Sequence, residues 1–135
     1  MDQSRKILVA DDDERLRRLL KIRLEAEGYT VILCQDAYQA LEAARSQRPD
    51  LLLLDINMPA GSGFSVQERI AKMPELRNTP VIYITGSTSS ETDQQAHDVG
   101  AYAIIHKPFS PARLFELIRT ALGYWSCDDV PAQSA

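Results

Sequence analysis

Residues 51–63 of this 135-residue chain read LLLLDINMPAGSG: four leucines, then Asp55, then a turn rich in proline and glycine. The leucine run has the length of a strand, and its unbroken apolar character predicts a strand covered on both faces, as in a parallel sheet. Four other runs share this character, namely KILVA at 6–10, TVILC at 30–34, VIYIT at 81–85 and YAIIH at 102–106. The sequence therefore predicts five buried strands.

Helical patterns separate the predicted strands. The first begins at the start signal Asp13-Glu14 and stops at Gly28. Later segments repeat the helical spacing of apolar residues: Ala37, Ala40, Leu41 and Ala44, then Val66, Ile70 and Met73, and finally Leu114, Leu117, Ile118, Ala121 and Leu122. Pro111 suits the first turn of the last helix. Strand and helix alternating five times predict a doubly wound α/β sandwich of three layers.

Two segments depart from this pattern. Residues 87–98 are rich in polar side chains and offer little for burial, so we expect a weakly held helix there. Residues 123–135 have the composition of a tail or the start of a linker, which places the folded domain at 1–122. Tyr124 and Trp125 are expected to pack against the last helix.

Composition narrows the classes of function. The 15 Lys+Arg against 19 Asp+Glu give a net charge of −4, which argues against direct binding to nucleic acid or to an anionic membrane. No segment resembles a secretory signal or a membrane span, so a cytoplasmic protein is expected. Cys34 and Cys127 show no metal-ligand spacing and are predicted to be reduced thiols.

Chemically active side chains follow four of the predicted strands. Strand one runs into Asp11-Asp12-Asp13, and strand three runs into Asp55. Thr85 ends strand four, and Lys107 follows strand five. Ligands of doubly wound sheets collect outside the carboxyl ends of the strands, so these groups should meet at one edge.

Clustered carboxylates repel one another unless a cation or a shared proton relieves the repulsion. Mg²⁺ prefers oxygen ligands and is commonly held by one or two carboxylates, so the acids predict a magnesium site. Taken alone, residues 11–14 could simply cap a helix. Asp55 is more telling, because it ends a run in which burial is expected. The proline after Lys107 restricts that lysine to extended backbone, from which it can reach Asp55.

The ordered set of motifs resembles the receiver domain of response regulators over roughly residues 6–122. It consists of the acid pair Asp11-Asp12, the segment LLLLDINMPAGSG, the strand ending in Thr85, Gly100-Ala101, and Lys107-Pro108-Phe109. The resemblance implies a flavodoxin-like fold with strand order 2-1-3-4-5. It also implies a two-component signalling protein rather than an enzyme with a substrate of its own, catalysing only its own phosphorylation and dephosphorylation.

The resemblance further implies a role for each matched residue. Asp55 would accept a phosphoryl group from a phosphohistidine of a sensor histidine kinase or a phosphotransfer protein. Asp12, Asp55 and the backbone carbonyl of Asn57 would bind Mg²⁺, or Mn²⁺ in its place, with Asp11 reaching the ion mostly through water. Thr85 and Lys107 would contact phosphoryl oxygens, and Pro59, Gly61 and Gly63 would shape the adjacent loop.

In the family, the fourth helix, fifth strand and last helix form the face that carries the switch to a downstream protein. This chain departs from the family at Ile104, where an aromatic residue usually takes part in switching, and at Ser62, where an acid is common. Tyr102 lies two residues before Ile104, and we do not expect it to substitute. A homodimer through the last helices is compatible with the sequence.

Three rival functions remain open from the sequence. An aspartyl-phosphate-type phosphatase would use the pair Asp11 and Asp13, although Arg15 stands where its motif has Thr or Val. A flavin-binding electron carrier would need an anion-binding first loop, and this loop is acidic. The third rival is a docking module that is never phosphorylated, and Ile104 is the only feature of the sequence that favours it.

Overall fold

A computed structural model describes residues 4–58, 61–86 and 89–123 of the chain. In chain order its strands are β1 (Lys6–Ala10), β2 (Thr30–Cys34), β3 (Leu51–Asp55), β4 (Asn57–Met58), β5 (Gly61–Ser62), β6 (Val81–Thr85) and β7 (Ala103–His106). Five of them form a parallel sheet in the order β2-β1-β3-β6-β7. This confirms the predicted order 2-1-3-4-5, because β4 and β5 form a separate antiparallel pair that the sequence did not predict.

Helices cover both faces of the sheet, as predicted. They are α1 (Glu14–Ala26), α2 (Ala37–Gln47), α3 (Gly63–Ile70), α4 (Ser90–Asp98) and α5 (Pro111–Ala121). One apolar cluster joins α2, α3 and α4 to the sheet, and a second joins α1 and α5 to its other face. The leucines of β3 are fully buried, because neighbouring strands and both helical layers enclose them. The three-layer architecture is thus confirmed.

The helix boundaries follow local chemistry. The Asp13 side chain caps α1 by accepting from two backbone N–H groups, and Gly28, with φ of 97°, follows the end of that helix. Ser62 and Ser65 form a reciprocal capping box at the start of α3. That helix ends at Ile70, short of Met73, because Pro74 disfavours a helical backbone at the residue before it.

Helix α4 is weakly packed, as the polar composition of its segment predicts. Only Ala96 is buried among its nine residues. Its opening residue follows Ser89, whose side chain caps the helix by accepting from the Glu91 N–H. With so little apolar burial, α4 gains less from packing than its neighbours and can change position at low cost.

No helix within the described ranges is long and apolar enough to cross a membrane. Residues 124–135, and with them the predicted packing of Tyr124 and Trp125, fall outside the described residues. Pro59 falls outside them as well.

A close approach at Gly63 fixes the start of α3 against the sheet. A Cβ at this position would lie 2.8 Å from the carbonyl oxygen of Asp55 and 2.9 Å from the Tyr83 ring. The Tyr83 hydroxyl is buried within hydrogen-bond range of the Gly63 carbonyl and the Gln67 side chain. Since one hydroxyl hydrogen serves one acceptor at a time, Tyr83 anchors the turn that follows Asp55 through either contact.

We expect Gly63→Ala to lower the free energy of unfolding by about 2 kcal/mol, because a methyl group there overlaps backbone and a packed ring. Gly86→Ala is the matched control, since a Cβ at Gly86 meets nothing within 4 Å and should change stability by less than about 0.5 kcal/mol. Urea denaturation of both variants measures the difference. Equal stability of the two variants would contradict the close approach.

Candidate functional site

Three carboxylates meet at the carboxyl edge of the sheet. Asp11 follows β1 directly and Asp55 ends β3, and these strands are hydrogen-bonded neighbours. One oxygen from each of Asp11, Asp12 and Asp55 lies within 4.8 Å of the others. Asp11 and Asp55 are buried, whereas Asp12 is exposed. The predicted acidic cluster is therefore present, with two members shielded from water.

Asp11 is held by backbone contacts but incompletely satisfied. Its Oδ1 accepts from the Asp13 N–H at 2.8 Å, and its carbonyl oxygen accepts from Arg17 Nη1 at 2.6 Å. Its Oδ2 is buried and lies 3.0 Å from Lys107 Nζ. That distance makes an ion pair, but the angles are not those of a hydrogen bond, so Oδ2 has no hydrogen-bond donor among the described residues.

Asp55 is oriented from two sides. Its Oδ1 accepts from the Asn57 N–H at 3.1 Å, and its Oδ2 accepts from Lys107 Nζ at 3.3 Å. Burial raises the pKa of Asp55 above its ordinary value, and the negative charge of Asp11 raises it further. The Asn57 N–H and Lys107 oppose that rise without cancelling it. The ionised form of Asp55 is thus short of positive charge.

Lys107 links the two buried acids. Burial alone would lower the pKa of its ammonium group, but Asp11 and Asp55 outweigh burial and raise that pKa, so the group stays charged at neutral pH. The Lys107 N–H donates to the Thr85 carbonyl oxygen at 2.7 Å, and the Lys107–Pro108 peptide bond is cis. Thr85, fully buried, ends β6 beside β3. The hydrogen bond therefore holds the backbone of Lys107, at the end of β7, beside Thr85.

The cluster fits a hard divalent cation. Two buried carboxylates share one ammonium group, and a third carboxylate lies at the rim, so negative charge is in excess. Asp11 Oδ2 pairs with Lys107 Nζ and can also serve as a ligand atom, and all the ligand atoms that the side chains of the cluster offer are carboxylate oxygens. The donor set, rich in oxygen and free of sulfur and imidazole, suits Mg²⁺.

The structure places each predicted residue as follows. It brings Asp11, Asp12, Asp55 and Lys107 together, and it places Thr85 at the end of the neighbouring strand. Asn57 follows Asp55 with an exposed side chain. Nothing in the sequence indicates the contact of Arg17 with the Asp11 carbonyl oxygen. The role of Tyr83 could have been suspected, because its hydroxyl lies within the otherwise apolar run VIYIT and needs a partner when buried.

Other side chains that the sequence left open are also placed. The Tyr102 hydroxyl lies 3.1 Å from Thr120 Oγ1 on α5. Ser62 caps α3, which gives that position a structural use. Cys34 is buried, and burial together with Asp36 raises its thiol pKa to about 11.

Comparison with known proteins agrees with this geometry. The family model described as "Response regulator receiver domain" matches residues 7–119. The polar-differentiation response regulator DivK of Brucella anthropi is 35% identical over 117 residues, covering 87% of this chain and 95% of that protein. The chain belongs to the response-regulator receiver domains, the phosphoacceptor domains of two-component signalling.

Solved structures show the same fold. The chemotaxis response regulator CheY4 of Vibrio cholerae has a TM-score of 0.83 and 31% identity, with coverage of 89% of this chain and 100% of CheY4. A CheY-like receiver domain protein from Methanospirillum hungatei has a TM-score of 0.83 and 32% identity, covering 89% of this chain and 94% of that one. The flavodoxin-like arrangement predicted from the motifs is confirmed.

We expect Asp55→Asn to increase the free energy of unfolding at pH 7, on the order of 1 kcal/mol. The folded-state pKa of Asp55 is raised, so the folded protein binds the proton more tightly and stability falls as pH rises through that pKa. The asparagine variant escapes this loss, and its advantage should shrink as the pH falls and Asp55 becomes protonated in the wild type as well.

Urea denaturation without divalent cations, carried out from pH 4 to pH 8, measures this difference. Glu75→Gln, which changes an exposed acid, is the control and should leave the pH profile unchanged. An asparagine variant that is less stable than wild type at pH 7 would show that Lys107 and the Asn57 N–H fully compensate the buried charge.

Proposed function

We propose that this chain is a cytoplasmic phosphorylation switch in which Asp55 accepts a phosphoryl group from a phosphohistidine of a sensor histidine kinase or a phosphotransfer protein. One observation carries the proposal. A buried carboxylate, Asp55, lies 3.3 Å from the ammonium group of Lys107 and beside a second buried carboxylate, Asp11, which pairs with the same ammonium group. Membership of the receiver family supports the same role.

The transfer needs little beyond positioning and charge neutralisation. The Asp55 carboxylate attacks phosphorus, the bond from phosphorus to the partner's imidazole nitrogen breaks, and the electron pair leaves with that imidazole. Lys107 already lies beside Asp55 and pairs with an oxygen of the transferred group. Thr85, at the end of the adjacent strand, donates its hydroxyl hydrogen to another of these oxygens.

The residues that hold the cation in this proposal are Asp11, Asp12, Asp55 and the backbone carbonyl of Asn57. Bound Mg²⁺, for which Mn²⁺ can substitute, supplies positive charge opposite the phosphoryl oxygens. Asp11 would reach the cation mostly through water, while its Oδ1 stays fixed by the Asp13 N–H. The protein's part is to present these oxygens already gathered.

We propose no turnover of separate substrates, so the chain acts only on its own phosphoryl group. The phosphatase alternative requires Asp13 as a partner for Asp11. Asp13 Oδ1 instead accepts from the N–H groups of Arg15 and Leu16, which fixes it as the cap of α1. No observation in the structure favours the phosphatase or a non-phosphorylated docking module over the receiver function.

An apolar groove next to the acidic cluster suits the phosphodonor protein. The groove has a volume of about 250 Å³ and lies between α1 and the start of α5, with Lys107 and Asp13 at its rim. Leu19 in its lining is 46% exposed, and Ile22 on the same helix is 68% exposed. A partner that delivers a phosphohistidine to Asp55 must cover this rim, so we assign the groove to it. The downstream protein is assigned to the face of α4, β7 and α5.

Incubation with acetyl phosphate and Mg²⁺ should add one phosphoryl group, observed as a mass increase that is stable in acid and labile to hydroxylamine. Asp55→Asn should abolish the increase, and Asp98→Asn, a change of an exposed acid on α4, should leave it intact. Omission of Mg²⁺ should slow the reaction strongly, because the cluster then lacks positive charge. An unchanged wild-type mass under these conditions would refute the proposed function.

The groove can be tested separately with Leu19→Glu. We expect about tenfold slower transfer from a phosphorylated histidine kinase selected for its activity on the wild-type chain, because a charge replaces an apolar contact. Phosphorylation by acetyl phosphate should be unaffected. Tyr38→Glu, an exposed position on α2 in the opposite layer, is the control and should match wild type with both donors. Equal transfer rates for the two variants would remove the groove from the docking surface.

A further inference from the structure

One hydrogen-bonded contact between a histidine and an aspartate on the proposed output face has no counterpart among the motifs. His106 Nε2 lies 3.0 Å from Asp93 Oδ1, which joins the last residue of β7 to the first turn of α4. Both side chains are partly exposed, at 38% and 43%. The pair therefore ties the weakly packed helix to the strand that leads into Lys107.

His106 lies directly beside the group that responds to phosphorylation. In the parallel register His106 is the partner of Thr85 on β6. Side chains alternate along a strand, so His106 shares the face of Ile104, which packs into the cluster that includes Ala96 of α4. Ile105 packs into the opposite cluster. His106 is thus next to Thr85 and faces α4.

Asp93 is connected to Thr85 by a short stretch of chain. Four residues, 86–89, separate Thr85 from the first residue of α4. A change at Thr85 therefore has only a short path along the chain to the end of the helix that carries Asp93.

The neighbourhood also lacks the ring that the family uses for switching. Ile104 occupies that position, and a cavity of about 130 Å³ lies beside it, bounded by Asp93, Ala96 and His97 among others. The packing between β7 and α4 is incomplete there. The contact between His106 and Asp93, at the edge of this cavity, can hold α4 in position.

We propose that His106 is a positioning residue, and that its contact with Asp93 holds α4 in the unphosphorylated arrangement, where the packing between Ile104 and the helix is incomplete. This inference rests on the proposed phosphoacceptor function. The pair opposes the switch, so breaking it shifts the population of α4 towards the phosphorylated arrangement.

Beryllofluoride with Mg²⁺, a mimic of the bound phosphoryl group, provides the first test. Asp93→Asn and His106→Gln should each tighten its apparent dissociation constant about two- to fivefold, the range expected when a partly exposed contact between a carboxylate and an imidazole is weakened. The double variant should bind no more tightly than either single variant, because both changes remove one interaction. The charge-reversed pair His106→Glu with Asp93→Lys should return the constant to the wild-type value.

Glu91→Gln is the matched control. Glu91 also lies in the first turn of α4. Its replacement by glutamine removes one negative charge near the anion and the helix N-terminus, as Asp93→Asn does, but leaves the contact between His106 and Asp93 intact. It should leave the dissociation constant near wild type. A shift as large as that of Asp93→Asn would assign the effect to charge alone and overturn the proposal.

Amide exchange without beryllofluoride gives a second readout that does not depend on phosphorylation. Both single variants should exchange faster across Ser90–Asp98 than wild type, with Ala37–Gln47 unchanged. Unchanged exchange in α4 would overturn the inference and leave the phosphoacceptor function standing. If wild type fails to bind beryllofluoride with Mg²⁺, the phosphoacceptor function fails, and the inference falls with it.

Discussion

The ammonium group of Lys107 is the interaction on which the rest of the site depends. It lies 3.0 Å from Asp11 and 3.3 Å from Asp55, two carboxylates that are almost completely buried. Without it, two like charges would face each other at the edge of a sheet where solvent screening is weak. One positive charge against two negative charges leaves an excess of negative charge, which favours the approach of a cation to this edge of the sheet.

Much of this arrangement could be predicted from the sequence, because the relevant signals are local. The leucine run before Asp55 predicts a doubly covered strand, and the polar residues at strand ends predict a common edge. The short pair β4 and β5 escaped prediction, since two-residue strands carry no periodic signal. The early end of α3 before Met73 was missed because helical spacing outweighed the local effect of Pro74.

The remaining contacts depend on register between distant segments, which periodicity does not specify. The pair of His106 with Asp93 needs α4 to be rotated so that its first turn faces β7, and α4 has only Ala96 to set that rotation. The approach of Gly63 to Tyr83 needs α3 to begin directly against the sheet. Such contacts follow from packing over the whole domain, so local patterns along the sequence do not predict them.

The Lys107 N–H donates a hydrogen bond to the Thr85 carbonyl oxygen, and this bond joins the backbone segments that carry the two side chains. Their backbones therefore cannot drift apart or approach without breaking the ladder. A threonine on a strand has few staggered χ1 positions, because its branched Cβ crowds the backbone. With the backbone held by the ladder, the Thr85 hydroxyl can change its direction only by a jump between separate χ1 rotamers.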